Sequence, residues 1–386
     1  MNKRVIREKV RDGLITENRV RFDIPIPQDI IEIKNVFVKN GFKLYVVGGA
    51  VRDALLNKSP KDWDLATDAT PDRVEQIMKE GGFRTLPTGK AFGVINVFTD
   101  SDEYEVATFR KDIGVGRRPD SVEFTSIDQD VKRRDLTINA LFYDIDTKEV
   151  VDLVGGIEDL KNKVVKTVGD PVDRFGEDRL RILRAIRFAA RFGSGLDPEV
   201  DNALKQDSSL EGISSERIRD EFLKGLRTAK TVKYFLKLID KYELWGWIFK
   251  GVEGVNRDFI EERDPIVLIA WMMWGNNPSE LSKALNKLTY SSSETNKICF
   301  LVSLYDFEIE NVVVFKKLQH RSGIGDEQLR SFGKLVKFDT KVQEAFIKFQ
   351  LSVTGDYVQK ELGIAPGPEM GKAIKKIETD NFKKLL

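Results

Sequence analysis

The chain of 386 residues has one cysteine, one histidine and no long apolar run. A lone Cys299 allows no disulfide within the chain, which fits a reducing compartment and points to a cytoplasmic protein. A lone His320 excludes metal centres built from several histidines and most chemistry that depends on a histidine base. The longest apolar stretch, Ile266 to Trp274, is about half of what a membrane span needs, so no membrane partner is expected. The N-terminal segment lacks the apolar core of a secretory signal. Charge of neither sign dominates: 63 Lys and Arg face 62 Asp and Glu. Any nucleic-acid surface must therefore come from local clustering.

What is present is charge-rich but otherwise ordinary, with 41% hydrophobic and 32% charged residues. The length exceeds one compact core and predicts two to four domains. Residues 1–24 are charged and read as an N-terminal extension, a loose arm. From 25 to 160 the pattern is mixed α/β. Helical spacing follows Pro27 and ends at Gly41, and Leu44–Val47 reads as a strand running into Gly48-Gly49. Thr70-Pro71 starts another helix. Further strands are expected at 93–98, 104–109, 121–125 and 141–145. Ser126 and Gln129 have the spacing of a capping box for the helix carrying Lys132-Arg-Arg-Asp135. Strand signals largely stop after about residue 155. The remainder reads as helix after helix, broken by Gly and Pro near 169–171, 193–198, 275–278, 323–325 and 363–371.

The head carries the chemistry. Asp62 and Asp64 flank Trp63, and the period of a strand points both carboxylates one way. Two such carboxylates repel unless a cation lies between them, and magnesium is a hard cation that keeps open positions for phosphate. Gly48-Gly49-Ala-Val-Arg52 offers a turn whose N–H groups, with Arg52, would approach the β- and γ-phosphates of a nucleotide. A plain strand-to-helix turn is the alternative for the glycines alone. Glu105, in Tyr104–Arg110, is the candidate third acid, against a solvated strand residue. If the three converge, two metal ions roughly 3.5–4 Å apart would sit between them. The glycine-containing basic loop Phe109–Pro119 reads either as a mobile element near the nucleotide or as a hairpin turn. Arg134 would reach the triphosphate, or belong to a solvated basic run.

A second unusual segment runs from Phe175 to Arg191. Asp178, Arg181, Arg184 and Arg187 recur every third residue on one side of a helix, beside an apolar stripe of Leu180, Leu183, Ile186 and Ala190. A capped amphipathic helix with a solvated face is one reading. Base recognition is the sharper one: a carboxylate accepts from an exocyclic amino group and arginine donates to a ring nitrogen or carbonyl. An Asp178/Arg181 pair would then take C and A and reject U and G, with Arg184 and Arg187 orienting it or holding phosphate.

The motifs Gly-Gly-Ala-Val-Arg-Asp, Asp-Trp-Asp, Tyr-Glu-Val-Ala-Thr-Phe-Arg, Arg-Arg-Asp-Leu-Thr-Ile-Asn-Ala and Glu-Asp-Arg-Leu-Arg, in this order across residues 47–191, resemble the class II CCA-adding enzymes. These tRNA nucleotidyltransferases belong to the polymerase β nucleotidyltransferase superfamily. The helical remainder is similar more loosely, at Gly355–Val358 and Leu362–Lys372. The resemblance implies an α/β nucleotidyltransferase head with a mixed sheet, followed by an elongated all-α neck, body and tail in a seahorse shape. The head would span 25–160, a base-recognising neck 161–230, a helical body 231–310 and a tRNA-binding tail 311–386. It implies magnesium ligands Asp62 and Asp64, Glu105 as supporting acid, and Gly48, Gly49, Arg52 and Arg134 toward the triphosphate. Asp178 and Arg181, with Arg184 and Arg187 beside them, would form the protein template that reads CTP and ATP. The implied reaction adds C, C and A to the 3′ end of tRNA with two Mg2+ ions, and no obligate protein partner is expected.

Alternatives remain at this stage. A CC-only or A-only enzyme is one, because the loop at Arg110–Arg118 is short for the family. A bacterial-type poly(A) polymerase shares head and neck, although the stretch Pro87–Gly93 looks like the CCA-adding type. A non-catalytic tRNA-binding relative is the reading from a different class. A C-terminal metal-dependent phosphohydrolase domain rich in His-Asp pairs, found in some relatives, is not expected in these residues, which hold a single histidine.

Overall fold

The computed structural model describes residues 5–9, 16–114 and 121–386, and its first elements are strands where a loose arm was expected. Strand β1 (Val5–Lys9) pairs with β2 (Thr16–Arg21), and β2 pairs with a later strand of the main sheet. Strands at a sheet's edge carry charge on purpose, so their apolar alternation is weak in sequence. The charge continues one strand in, where Arg19 of β2 reaches Glu149 across the ladder at 3.6 Å.

The rest of the head follows in chain order as α1 (Gln28–Lys39), β3 (Leu44–Val47), α2 (Gly49–Leu55), β4 (Asp64–Thr67), α3 (Pro71–Glu80), β5 (Arg84–Gly89), β6 (Val94–Phe98) and β7 (Glu103–Thr108). A separate hairpin of β8 (Arg110–Ile113) and β9 (Ser121–Phe124) leads to the short α4 (Ile127–Asp130), then β10 (Leu141–Asp144) and β11 (Glu149–Asp152). The main sheet runs β1-β2-β11-β10-β3-β4-β7-β6-β5. Every pairing in it is antiparallel except β4 with β7. The sheet is therefore mixed, as the resemblance implied.

Alternation along the strands divides two faces. Leu44, Val46, Leu65, Ile95 and Val106 point to one core with Ile30, Ile33 and Phe37 of α1 and Val74, Ile77 and Met78 of α3. Tyr45, Val47, Ala66 and Phe142 point to the other, with Phe109, Val131 and Val168. Asp64 alternates with Leu65, so it belongs to the second face, with the candidate site residues.

The helices α5 (Gly156–Asn162), α6 (Pro171–Glu177), α7 (Leu180–Phe192) and α8 (Pro198–Gln206) complete the first of two compact units, Met1–Gly212. The second unit, Ile213–Leu386, is helical throughout. No strand lies beyond Asp152 among the described residues. The breaks read from Gly and Pro fall at helix ends. Asp170 caps α6 ahead of Pro171, Gly193 ends α7 in the left-handed region, and Asp197 caps α8 ahead of Pro198. In the second unit, Phe222, Phe235, Trp245 and Phe249 form an aromatic cluster. A Cβ at position 225 would lie 2.1 Å from the Phe235 ring, so only glycine admits that ring. The buried Lys316 donates to the carbonyls of Phe346 (2.8 Å) and Ile347, ending the helix Thr340–Lys348.

Candidate active site

The strand β3 delivers the chain to Gly48, whose φ of 69° and ψ of −121° suit glycine and strain other residues. The Gly48 N–H is used by the Leu141 carbonyl at 3.0 Å. The first-turn N–H groups of α2 from Gly49 onward have no acceptor within the helix. Antiparallel pairing sets Asp64 opposite Val47, one residue before this turn. Strand β4 begins at Asp64, so Asp62 lies in the segment just before the strand rather than within it. The two carboxylates are nonetheless close enough to repel. The Asp64 carboxyl is raised above its ordinary value, first by lost hydration and then by Asp62, with Arg134 opposing. Asp64 keeps an open side to solvent.

Neither aspartate has a hydrogen-bond or ion-pair partner among the described residues. An adjacent pair of unpartnered carboxylates fits a divalent cation. Glu105 lies on the parallel neighbour β7. The register Leu65–Val106, carried back one residue, sets Glu105 beside Asp64 on the same face, exposed. The three acids are not drawn into one ligand set: no group of three or more Asp, Glu, His or Cys able to hold an ion occurs among the described residues.

Arg134 lies against the Phe142 ring, 4.5 Å from its centroid, on this second face. Its Nη1 would stand 3.9 Å from a Cβ at Gly48, so the guanidinium joins the glycine turn to Asp64. Arg134 is fixed by Asp130, a buried carboxylate that escaped the sequence reading. Asp130 accepts from Arg134 Nε at 3.2 Å, from Arg133 Nε at 2.9 Å and from the Arg110 N–H at 3.1 Å. The spacing of three and four residues along a helical turn was a legible signal for those pairs. The expected Ser126–Gln129 capping box does not form. Ser126 makes no cap, and Gln129 donates to Asp128 instead. The helix ends at Asp130, too short for the reciprocal bonds to organise it.

Arg52 differs from expectation. Its guanidinium is buried, with Nε on Asp53 at 3.0 Å, Nη1 on Asn139, and its plane over Phe188 at 4.9 Å. Nη2 stands 3.6 Å from where a Gly49 Cβ would be, so Arg52 braces the turn from within. Burial lowers its pKa, with Arg191 and Arg187 adding to the effect against Asp53.

The arginine helix is not a solvated face. Arg187 is buried with the apolar stripe from Leu183 to Ala190 and lies 4.3 Å over the Phe188 ring. Asp178 precedes α7 instead of belonging to it. Its extended backbone separates α6 from α7, and its Oδ1 accepts the Leu180 N–H at 3.1 Å. Arg181 donates to Glu177 at 2.6 Å and to the Arg133 carbonyl at 2.9 Å. The acid engaged by Arg181 is Glu177, one residue before Asp178. Arg184 donates to Asp135 at 2.7 Å. Arg181 and Glu177 line a polar cleft of about 170 Å³ with Lys111, Gln129, Lys132 and Arg133. The tip of the basic loop, Val115–Asp120 with Arg117 and Arg118, lies outside the described residues.

Asp130 and Asp135 both have carboxyls held below the ordinary range. Burial acts against ionisation at each and is the largest influence. It is outweighed by Arg134 and Arg133 at Asp130, and by Arg184 at Asp135. A folded pKa below the unfolded one stabilises the fold above about pH 3.9, and that contribution is lost as pH falls through the folded value. Acid unfolding followed by circular dichroism should therefore steepen below about pH 4. Asp135→Asn should make that dependence shallower; an unchanged slope would show that the pair contributes nothing.

Residues 44–166 match the model for the Poly A polymerase head domain, and residues 195–254 match the probable RNA and SrmB-binding site of polymerase A. A CCA-adding enzyme of Bacillus subtilis is 44% identical over 201 residues, and the chain spans about half (49%) of that relative's length. A CCA-adding enzyme of Streptococcus pneumoniae is 32% identical over 366 residues, 88% of each chain. Among solved structures, the Bacillus stearothermophilus CCA-adding enzyme in complex with CTP superposes with a TM-score of 0.72 at 26% identity, covering 94% of both chains. The Thermotoga maritima CCA-adding enzyme complexed with tRNA, at 20% identity and a TM-score of 0.65, shares the fold.

Proposed function

The chain belongs to the family of CCA-adding enzymes, and on that premise we propose that it adds C, C and A to the 3′ end of tRNA from CTP and ATP. The observation that carries this is the unpartnered Asp62/Asp64 pair, placed beside the Gly48 turn and Arg134. In each addition the RNA 3′-hydroxyl attacks the α-phosphate, a phosphodiester forms, and pyrophosphate leaves.

Enzymes of this family use divalent metal ions. We assign them here as two Mg2+, held by Asp62 and Asp64 with Glu105 in support. Bound at these carboxylates, such cations would lower the pKa of an attacking hydroxyl and offset charge on the phosphates. The protein groups supply position. The turn made by Gly48 presents the free backbone N–H groups from Gly49 onward to the triphosphate, Arg134 adds a cation, and Arg52 braces the turn from inside. Asp178 and Arg181 read the base edge, with Arg184 and Arg187 fixing the helix behind them. Arg181 gives up Glu177 and the Arg133 carbonyl when a base arrives. A cytoplasmic setting suits both substrate and chain.

The test offers RNA transcripts ending at the discriminator base, at C and at CC, with each nucleotide alone. The expected result is two C additions, then one A, then arrest. Arrest at CC would assign a CC-only enzyme, addition confined to CC-ended RNA an A-only enzyme, and a long A tail a poly(A) polymerase. No incorporation at all would leave RNA binding as the activity.

A further inference from the structure

Arg191 lies at the far end of α7 from Arg181, about 15 Å away by helical rise. Its Nη2 donates to both oxygens of Asp53, at 3.0 and 3.1 Å. Asp53 in turn holds Arg52 Nε, and Arg52 lies beneath the glycine turn. Between these groups Phe188 carries two guanidinium groups against its ring, Arg52 at 4.9 Å and Arg187 at 4.3 Å. Both members of the Asp53–Arg191 pair are more than four-fifths buried. Neither lines the polar cleft, and the proposed chemistry of addition assigns them no role.

What the pair does is mechanical. Helix α7 is held to the head at three heights: Arg181 on the Arg133 carbonyl, Arg184 on Asp135, and Arg191 on Asp53. The first two anchors belong to the Arg-Arg-Asp run, and the third belongs to α2. We propose that the Asp53–Arg191 pair is a positioning device that fixes the phosphate-holding turn relative to the base-reading end of α7, and so sets how strictly the incoming nucleotide is selected. The inference rests on the nucleotide-addition reading. With the third anchor gone, α7 pivots on Arg184, and Arg181 moves relative to a triphosphate held at Gly48. A pyrimidine such as C then fits less well, and the wrong pyrimidine, U, is rejected less.

The experiment uses the full-length chain with an RNA ending at the discriminator base. Steady-state constants are measured for CTP and for UTP, together with KM for RNA and thermal stability. Arg191→Gln removes the ion pair while leaving Asp53 on Arg52; Arg191→Lys keeps the charge on a shorter side chain without the planar guanidinium. The expected result for Arg191→Gln is a KM for CTP raised about tenfold, a CTP-over-UTP preference reduced about tenfold, and an unchanged KM for RNA. Arg191→Lys should recover part of the preference. Asp53→Asn should resemble Arg191→Gln; if it fails to fold, the arginine variants decide alone. If Arg191→Gln lowers melting temperature while KM for CTP and the CTP-over-UTP preference stay at wild-type values, the pair is only structural and the proposal is wrong. A wild-type chain that incorporates no nucleotide overturns the functional reading, and this inference with it.

Discussion

Asp62→Ala should lower nucleotide incorporation by about a thousandfold or more while RNA binding stays near wild type. Neither Asp62 nor Asp64 has a hydrogen-bond or ion-pair partner among the described residues. Asp62 and Asp64 repel each other, and the Asp64 carboxyl is raised above its ordinary range partly for that reason. Nothing among the described residues neutralises the pair directly except the field of Arg134. Without a bound cation this arrangement opposes stability, so alanine at 62 should leave the fold intact or slightly more stable. The loss therefore falls on catalysis. Asp64→Asn should behave alike, because it keeps the shape and removes the charge. Incorporation is measured with labelled CTP, and binding by gel shift with the same RNA. An Asp62→Ala variant that still incorporates CMP at the wild-type rate would sink the metal assignment.

Asp130→Ala should be the most damaging change to stability at the site, costing about 3–5 kcal/mol. Its carboxylate is buried, 1% exposed, and accepts from two guanidinium groups and a backbone N–H. Removing it leaves Arg133 and Arg134 beside each other without their counter-charge. The melting temperature should fall by about 10 °C. Incorporation should fall as well, because Arg134 is the cation between the glycine turn and Asp64. Asp130→Asn keeps the volume and should lose less stability, though it should still release Arg134. If calorimetry finds Asp130→Ala as stable as wild type, the buried ion cluster does not organise the site.

Much of the head was legible because its signals are local. Leu44–Val47, Val94–Phe98 and Leu141–Asp144 are short β-branched or aromatic runs bounded by turns. The helix breaks at Gly193 and before Pro171 and Pro198 follow from one or two residues each. The edge strand Val5–Lys9 and its neighbour Thr16–Arg21 were missed, since their charge hides the alternation that marks a strand. The Ser126–Gln129 motif misled because spacing alone does not make a helix long enough to use it.

Some determinants were complete in the sequence. The Asp-Trp-Asp triplet, the glycine pair and the spaced arginines come as short motifs, and side-chain chemistry at close spacing dictates what they can bind. The tertiary structure decided which of those groups face outward. It buried Arg52 and Arg187 against Phe188, moved Asp178 out of the helix into the junction before it, and gave Arg181 to Glu177. It also joined Asp53 to Arg191 across 138 positions of chain. Pairings at that separation depend on how the sheet and α7 pack, and no local pattern of residues encodes the distance between two elements that meet only in the folded chain.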